Sequence, residues 1–266
     1  MKDWGTFLEY AGLEIKDGKE VFSGSYSGID GGDISAEYWF MGMEWSNIDD
    51  IKDDYSYLYN AWRKITLEKI KETPVSDRIK KYPDDWKLEN AMDELYQKLK
   101  LQNKVSGRTI FGKNSNSLKL NLLPLPFLDG DAKDSWNKTH LTETTGFSSF
   151  KEYKSGVLPA RQKLFQKLLQ EGKKPKTIFC FGKDYEDDFI FALTGKRIKA
   201  REPAISLPTK HKLSGYNLKV EVYDVDSPEI KRIFVCPFPS AYTKTGYELY
   251  KLNDGDWEKI YKEVIK

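Results

Sequence analysis

The chain is poor in the residues that build covalent or metal-bound frameworks: its 266 residues include two cysteines, two histidines and four methionines. Two thiols cannot supply a disulfide framework, a four-cysteine zinc site or an iron–sulfur cluster held by four thiolates. Cys180 and Cys236 lie in the apolar runs TIFCFG and IFVCPF, where a buried free thiol is expected. A charge excess is also lacking. The 43 basic side chains face 41 acidic ones, so no global field marks a nucleic-acid binder, and any DNA affinity must come from local patches. No apolar stretch nears the ~20 residues that span a bilayer. The opening MKDWGTFLEYAG has no basic region followed by an apolar one, so no membrane contact and a cytoplasmic location are expected.

What is present suits one core. Hydrophobic residues make up 39% of the sequence, enough for a single elaborated domain over 1–266, expected to be a monomer. Four short apolar runs, rich in aromatic and branched residues and ended by Gly, Pro or Asn, read as buried strands: EYWFMG (37–42), LKLNLLPL (118–125), KTIFCFG (176–182) and RIFVCPF (232–238). Helical spacing separates them, as in Leu58, Trp62, Ile65 and Lys69, in Leu88, Met92, Leu95 and Leu99, and in Leu164, Phe165, Leu168 and Leu169. This alternation predicts an α/β layer fold with a mainly parallel sheet, whose ligand site lies beyond the carboxyl ends of the strands. A helical insertion is expected over about 48–104, and an extra strand at LKVEVYDV (218–225). The stretch GSYSGIDGGDIS (23–34) lacks the GK[ST] ending of a phosphate loop and precedes a strand, so it reads as a flexible loop.

The strand ends carry the motifs. GMEWSN (42–47) follows the first run and CPFPSAYT (236–243) closes the last. In this order the chain resembles the uracil-DNA glycosylase superfamily. There a first strand ends in Gly-x-Asp/Asn-Pro with the water-positioning residue, and the last ends in a motif like His-Pro-Ser-Pro. Gly42, Met43 and Glu44 match the first motif; Pro237 and Pro239 match the second. LKLNLLPLPF is similar to the second strand, with Asn121 at the position that reads the base edge. KPKTIFCFGK is similar to the third, with Arg161 on the preceding helix and Gly182 at the strand's end. The resemblance covers a third to a half of the chain. It implies a three-layer α/β/α fold around a mainly parallel four-stranded sheet, a DNA partner, no cofactor and no metal.

It also implies an activity: a nucleotide is flipped out and its base is cut from the sugar by water, leaving an abasic site. Breaking that bond builds positive charge on the sugar and negative charge on the base. A carboxylate at Glu44 suits the cation and the water, and the amide of Asn121 offers both a donor and an acceptor to a pyrimidine edge. The resemblance makes Glu44 and Asn121 catalytic and places Met43, Ser46, Phe111 and Cys236 around the base, with Phe111 stacking on it. After the last strand Ser240 stands at the wedge position; it is too small to fill a gap in the stack, so either Tyr242 takes that role or the protein prefers open or single strands. Phosphate contacts are expected from Lys183, Lys244 and the basic run KRIKAREPAISLPTKHK (196–212), which includes Arg197, Lys199 and Arg201.

Three departures bear on substrate. Cys236 stands where many relatives have a histidine that supports the departing base; the chain has only His140 and His211 to offer instead, and each reads as a solvated loop residue. Trp45 replaces a proline. Ser46 replaces a tyrosine whose ring excludes a methyl group at pyrimidine C5, which points to a bulky C5-modified cytosine of phage DNA, as in the superfamily's anti-phage members. Ordinary uracil repair, a nucleic-acid-binding protein that has lost chemistry, and an α/β hydrolase acting on nucleosides are the alternatives. Each residue also has a structural reading: Glu44 as a loop cap, Asn121 bonded to a neighbouring loop, Phe111 as core, and the basic run as a solvated loop.

Overall fold

The structure is a computed structural model, and it describes residues 4–43, 110–111, 115–125, 136, 141–172, 175–200, 205–207, 218–225, 230–236 and 254–265. The first helix, α1 (Trp4–Ala11), leads into a hairpin of β1 (Leu13–Lys16) and β2 (Lys19–Phe22). Then follow β3 (Ile29–Gly32), β4 (Tyr38–Gly42) and β5 (Ser117–Asn121), and the helices α2 (Leu141–Thr145) and α3 (Phe150–Glu171). The remaining elements are β6 (Thr177–Phe181), a 3-10 turn over Lys183–Tyr185, α4 (Glu186–Thr194), β7 (Ile205–Leu207), β8 (Leu218–Asp224), β9 (Arg232–Cys236) and α5 (Asp254–Ile265).

The main sheet runs β3-β5-β4-β6-β9-β8 as one ladder, and the short β7 extends it beside β8 to seven strands. Its central four strands, β5-β4-β6-β9, are mutually parallel. These are the four apolar runs of the sequence, so the parallel core stands as expected. The extra strand expected at 218–225 is β8, antiparallel to β9; four strands was nonetheless too few for the sheet, because β3 joins antiparallel at one side and β7 extends the other beyond β8.

Period-two alternation divides the sheet's side chains. Trp39 and Met41, Leu118 and Leu120, Ile178 and Cys180, and Ile233 and Val235 share a core with Phe7 of α1 and with Tyr153, Val157, Leu164 and Leu168 of α3. The alternate residues Phe40, Phe179 and Phe234 form a buried row across the other face in matched register, with Lys119 at its end. Phe40 stacks on Phe179 with centroids 5.3 Å apart, and Phe179 lies 5.3 Å from Phe234.

The Gly/Ser-rich stretch is not a flexible loop. Ser25 and Ser27 are buried and donate to the Tyr10 carbonyl at 2.6 and 2.7 Å, and β3 forms inside the stretch. Small side chains and backbone-seeking hydroxyls let it pack closely where an apolar pattern is missing. The expected helical insertion at 48–104 lies outside the described residues. Among the described residues no helix is long and apolar enough to cross a membrane.

Candidate functional site

The parallel strands have the order second, first, third, fourth in chain sequence. The connections therefore diverge between β4 and β6, where a crevice at the carboxyl ends is the expected ligand position. Met43, Asn121, Gly182 and Cys236 are brought together at these ends. The backbone there is firmly tied. Leu122 and Leu123 N–H donate to the carbonyls of Gly42 and Met43 at 2.8 and 2.7 Å, and Gly182 N–H donates to Cys236 at 3.0 Å. Gly182 has φ +129°, and a Cβ on it would lie 2.7 Å from Sδ of the half-buried Met43, so glycine lets that side chain lie against the turn.

Asn121 is the most constrained member. It is fully buried and paired across the sheet with Gly42. Its N–H donates to the Gly28 carbonyl at 2.7 Å, its own carbonyl accepts from Nη2 of Arg161 at 2.9 Å, and its Nδ2 donates to Oδ2 of Asp30 at 2.9 Å. The remaining polar atom, Oδ1, is buried without a hydrogen-bond partner among the described residues. An acceptor left unmet in this way costs about 1–3 kcal/mol, so a hydrogen-bond donor that reaches Oδ1, from water or from a ligand, is favoured.

Sequence reasoning missed Asp30 and Lys119. A register shift between Ile29 and Gly31 makes Asp30 the extra residue of a bulge, and its carboxylate reaches both Lys119 Nζ and Asn121 Nδ2. Lys119 is 1% exposed and Asp30 6%. The signal was a lysine two residues before an asparagine in an apolar strand: both side chains fall on one buried face and need partners.

Arg161 does not face the ligand position. It is fully buried in α3, where Nε donates to the Leu122 carbonyl at 2.8 Å and Nη1 to the carbonyls of Ser27 at 2.7 Å and Ala11 at 3.2 Å. Its guanidinium also lies 4.8 Å from the Phe165 ring centroid. Burial pulls its pKa down to about 10, which leaves it a cation at neutral pH. Its role is to clamp the segment that ends β5. Gly28 makes room for it, since a Cβ there would lie 2.9 Å from Nη2.

Phe111 packs below the strand ends. Its ring is fully buried and edge-on to Phe40, centroids 5.6 Å apart, and its N–H donates to Ser117 Oγ at 2.9 Å. A φ of +58° is unusual for a bulky residue, so the surroundings impose this conformation. Cys236 is buried, and desolvation pushes its thiol up to about 12, so it stays protonated and offers only a weak donor.

Of the expected phosphate contacts, Lys183, Arg197 and Lys199 lie among the described residues. Lys183 sits just past β6 but is paired with Glu221 of β8 at 3.1 Å. Arg197 and Lys199 are exposed beyond the far end of α4, which carries the chain roughly 13 Å along its axis. Glu44, Ser46, Arg201, Ser240, Tyr242 and Lys244 lie outside the described residues, as do His140 and His211.

A separate open cleft at the start of α3 is lined by Gly146, Phe147, Ser149, Lys151, Glu152 and Ser155. Its carboxylate is already committed: Glu152 accepts from Ser148 N–H at 3.0 Å and Oγ at 2.6 Å, which lowers its pKa, while Ser149 caps the helix. Among the described residues no group of three or more His, Cys, Asp or Glu side chains could hold a metal. The chain matches no protein-family model and no curated protein sequence.

Proposed function

We propose that this protein is a metal-free DNA glycosylase that flips out a pyrimidine nucleotide and hydrolyses the bond between base and sugar. The observation that carries the reading is the buried amide of Asn121, whose Oδ1 lacks a partner among the described residues at the carboxyl end of a central parallel strand. Base reading needs such a group, because an extruded base leaves its hydrogen-bonding edge unsatisfied until the pocket meets it. Met43 ends where Glu44 begins, so the candidate water-positioning carboxylate follows directly from a strand end tied to residues 122 and 123. In this reading the helices on one face of the sheet are matched by a layer on the other, giving three layers.

Ser46 in place of a tyrosine favours a cytosine with a bulky C5 substituent over plain uracil. The test offers uracil-containing DNA and glucosylated phage DNA side by side and scores alkali-labile abasic sites. Sites in the glucosylated DNA are the expected result; cutting of the uracil DNA alone would reject the C5 assignment and leave ordinary uracil repair. Glu44→Gln should abolish base release and preserve DNA binding.

One observation favours a second reading, a DNA-binding protein without chemistry. The protonated thiol of Cys236 gives weak support to a departing base. DNA binding with no abasic sites on either DNA would select that reading.

A further inference from the structure

Of the groups around Asn121, the ion pair behind it has no part in the proposed reaction. Lys119 and Asp30 are almost fully buried, and desolvating such a pair costs about as much as its attraction returns, so stability alone does not account for it. Its geometry suggests one. Oδ2 of Asp30 accepts from both Lys119 and Asn121. A carboxylate accepts and does not donate, so the NH₂ end of the Asn121 amide must face Asp30. The carbonyl end is thereby turned the other way, and it is the atom without a partner among the described residues.

We propose that Asp30, neutralised by Lys119, is a positioning residue that fixes the Asn121 amide with its oxygen toward the ligand, so that the site reads a hydrogen-bond donor. The inference rests on the base-excision reading for the identity of the ligand. On a pyrimidine the donor is the ring N3–H of a uracil-type base or the exocyclic amine of a cytosine-type base, each beside an acceptor that the second N–H of Nδ2 can meet. Without Asp30 the amide is free to turn over and offer its NH₂ instead, which would lose the discrimination.

Two double variants of the full chain test this. Asp30→Leu with Lys119→Met removes the acceptor, and Asp30→Asn with Lys119→Met keeps a carbonyl acceptor; neither leaves a lone buried charge. The first readout is the side-chain NH₂ signal of Asn121 in ¹⁵N-labelled protein, identified by its loss in Asn121→Ala. One proton should be shifted downfield and slow to exchange in the wild type and the Asn variant, but not in the Leu variant. Identical Asn121 signals in all three would overturn the positioning role, whether or not DNA is cut.

The second readout is base release from oligonucleotides carrying uracil or glucosylated 5-hydroxymethylcytosine. The Leu variant should lose at least about tenfold in rate with DNA affinity kept, and the Asn variant should stay within about threefold of wild type. Equal rates for the two variants would overturn the proposal. A wild type that releases neither base removes the glycosylase reading and the donor assignment with it, while the amide signals still decide the role of Asp30.

Discussion

Arg161 donates from Nη2 to the backbone carbonyl of Asn121 at 2.9 Å, so a cation in the middle of a helix fixes the end of the strand that carries the candidate base-reading amide. The same guanidinium holds Leu122, Ser27 and Ala11, joining α1, the Gly/Ser-rich stretch and β5 at one point.

Arg161→Met should therefore destabilise the fold by at least about 3 kcal/mol, because several buried carbonyls lose their donor together. Arg161→Lys should recover only part of this, since one ammonium cannot reproduce a planar fork aimed at four residues. Urea unfolding of the two variants checks the order.

The buried pair gives a sharper thermodynamic expectation. Lys119→Met alone removes the cation from beside the buried Asp30 carboxylate and should cost about 3–5 kcal/mol. Adding Asp30→Asn should restore much of the loss, and a double-mutant cycle on unfolding free energies measures the coupling. A Lys119→Met protein as stable as wild type would mean that the pair is not held as described.

Gly182→Ala should cost about 1–3 kcal/mol from its positive φ and push Met43 from its place, whose Sδ lies 2.7 Å from the added Cβ. Met43→Ala in the same chain should relieve the collision and not the backbone strain, so rescue of stability should be partial in thermal unfolding.

Both thiols set a pH dependence. Burial raises Cys180 well above the ordinary value of 9.0 and Cys236 to about 12. Above pH 9 the unfolded chain ionises these groups and the folded chain does not, so the folded state binds more protons and stability falls as pH rises. The slope should approach about 1.4 kcal/mol per pH unit for each thiol between their unfolded and folded pKa values. Urea midpoints at pH 8 and pH 10 check it, and the fall should shrink in Cys180→Ala and Cys236→Ala.

The parallel core was legible because its strands are dense apolar runs ended by Asn121, Gly182 and, on β4, Gly42, signals that tertiary context did not override. The edge strand β3 was not. Ile29–Gly32 is four residues with two glycines, and it becomes a strand because β5 offers an unpaired edge and small residues allow close approach; a Cβ on Gly32 would lie 2.2 Å from the Ser117 carbonyl. Asn121 was readable as a buried amide, but Asp30 was hidden in a segment whose composition reads as a loop. Their meeting depends on a bulge, and a bulge leaves no periodic trace. For Arg161, its position could be matched while its role could not, because a guanidinium bonded to four backbone carbonyls has no partner residue type to find in sequence. The pairing of Lys183 with Glu221 was not legible either, because only the fold sets β8 beside the turn after β6.

Base excision with Asn121 as the reader is the activity proposed for this chain. Its most direct test is mass spectrometry of the free bases released from DNAs carrying uracil, glucosylated 5-hydroxymethylcytosine and unmodified pyrimidines, comparing the wild-type chain with Asn121→Ala. The wild type should release one modified pyrimidine, and the variant should lose at least about a hundredfold in rate while still binding the DNA. No released base from any of these DNAs, or equal release by the variant, would contradict it.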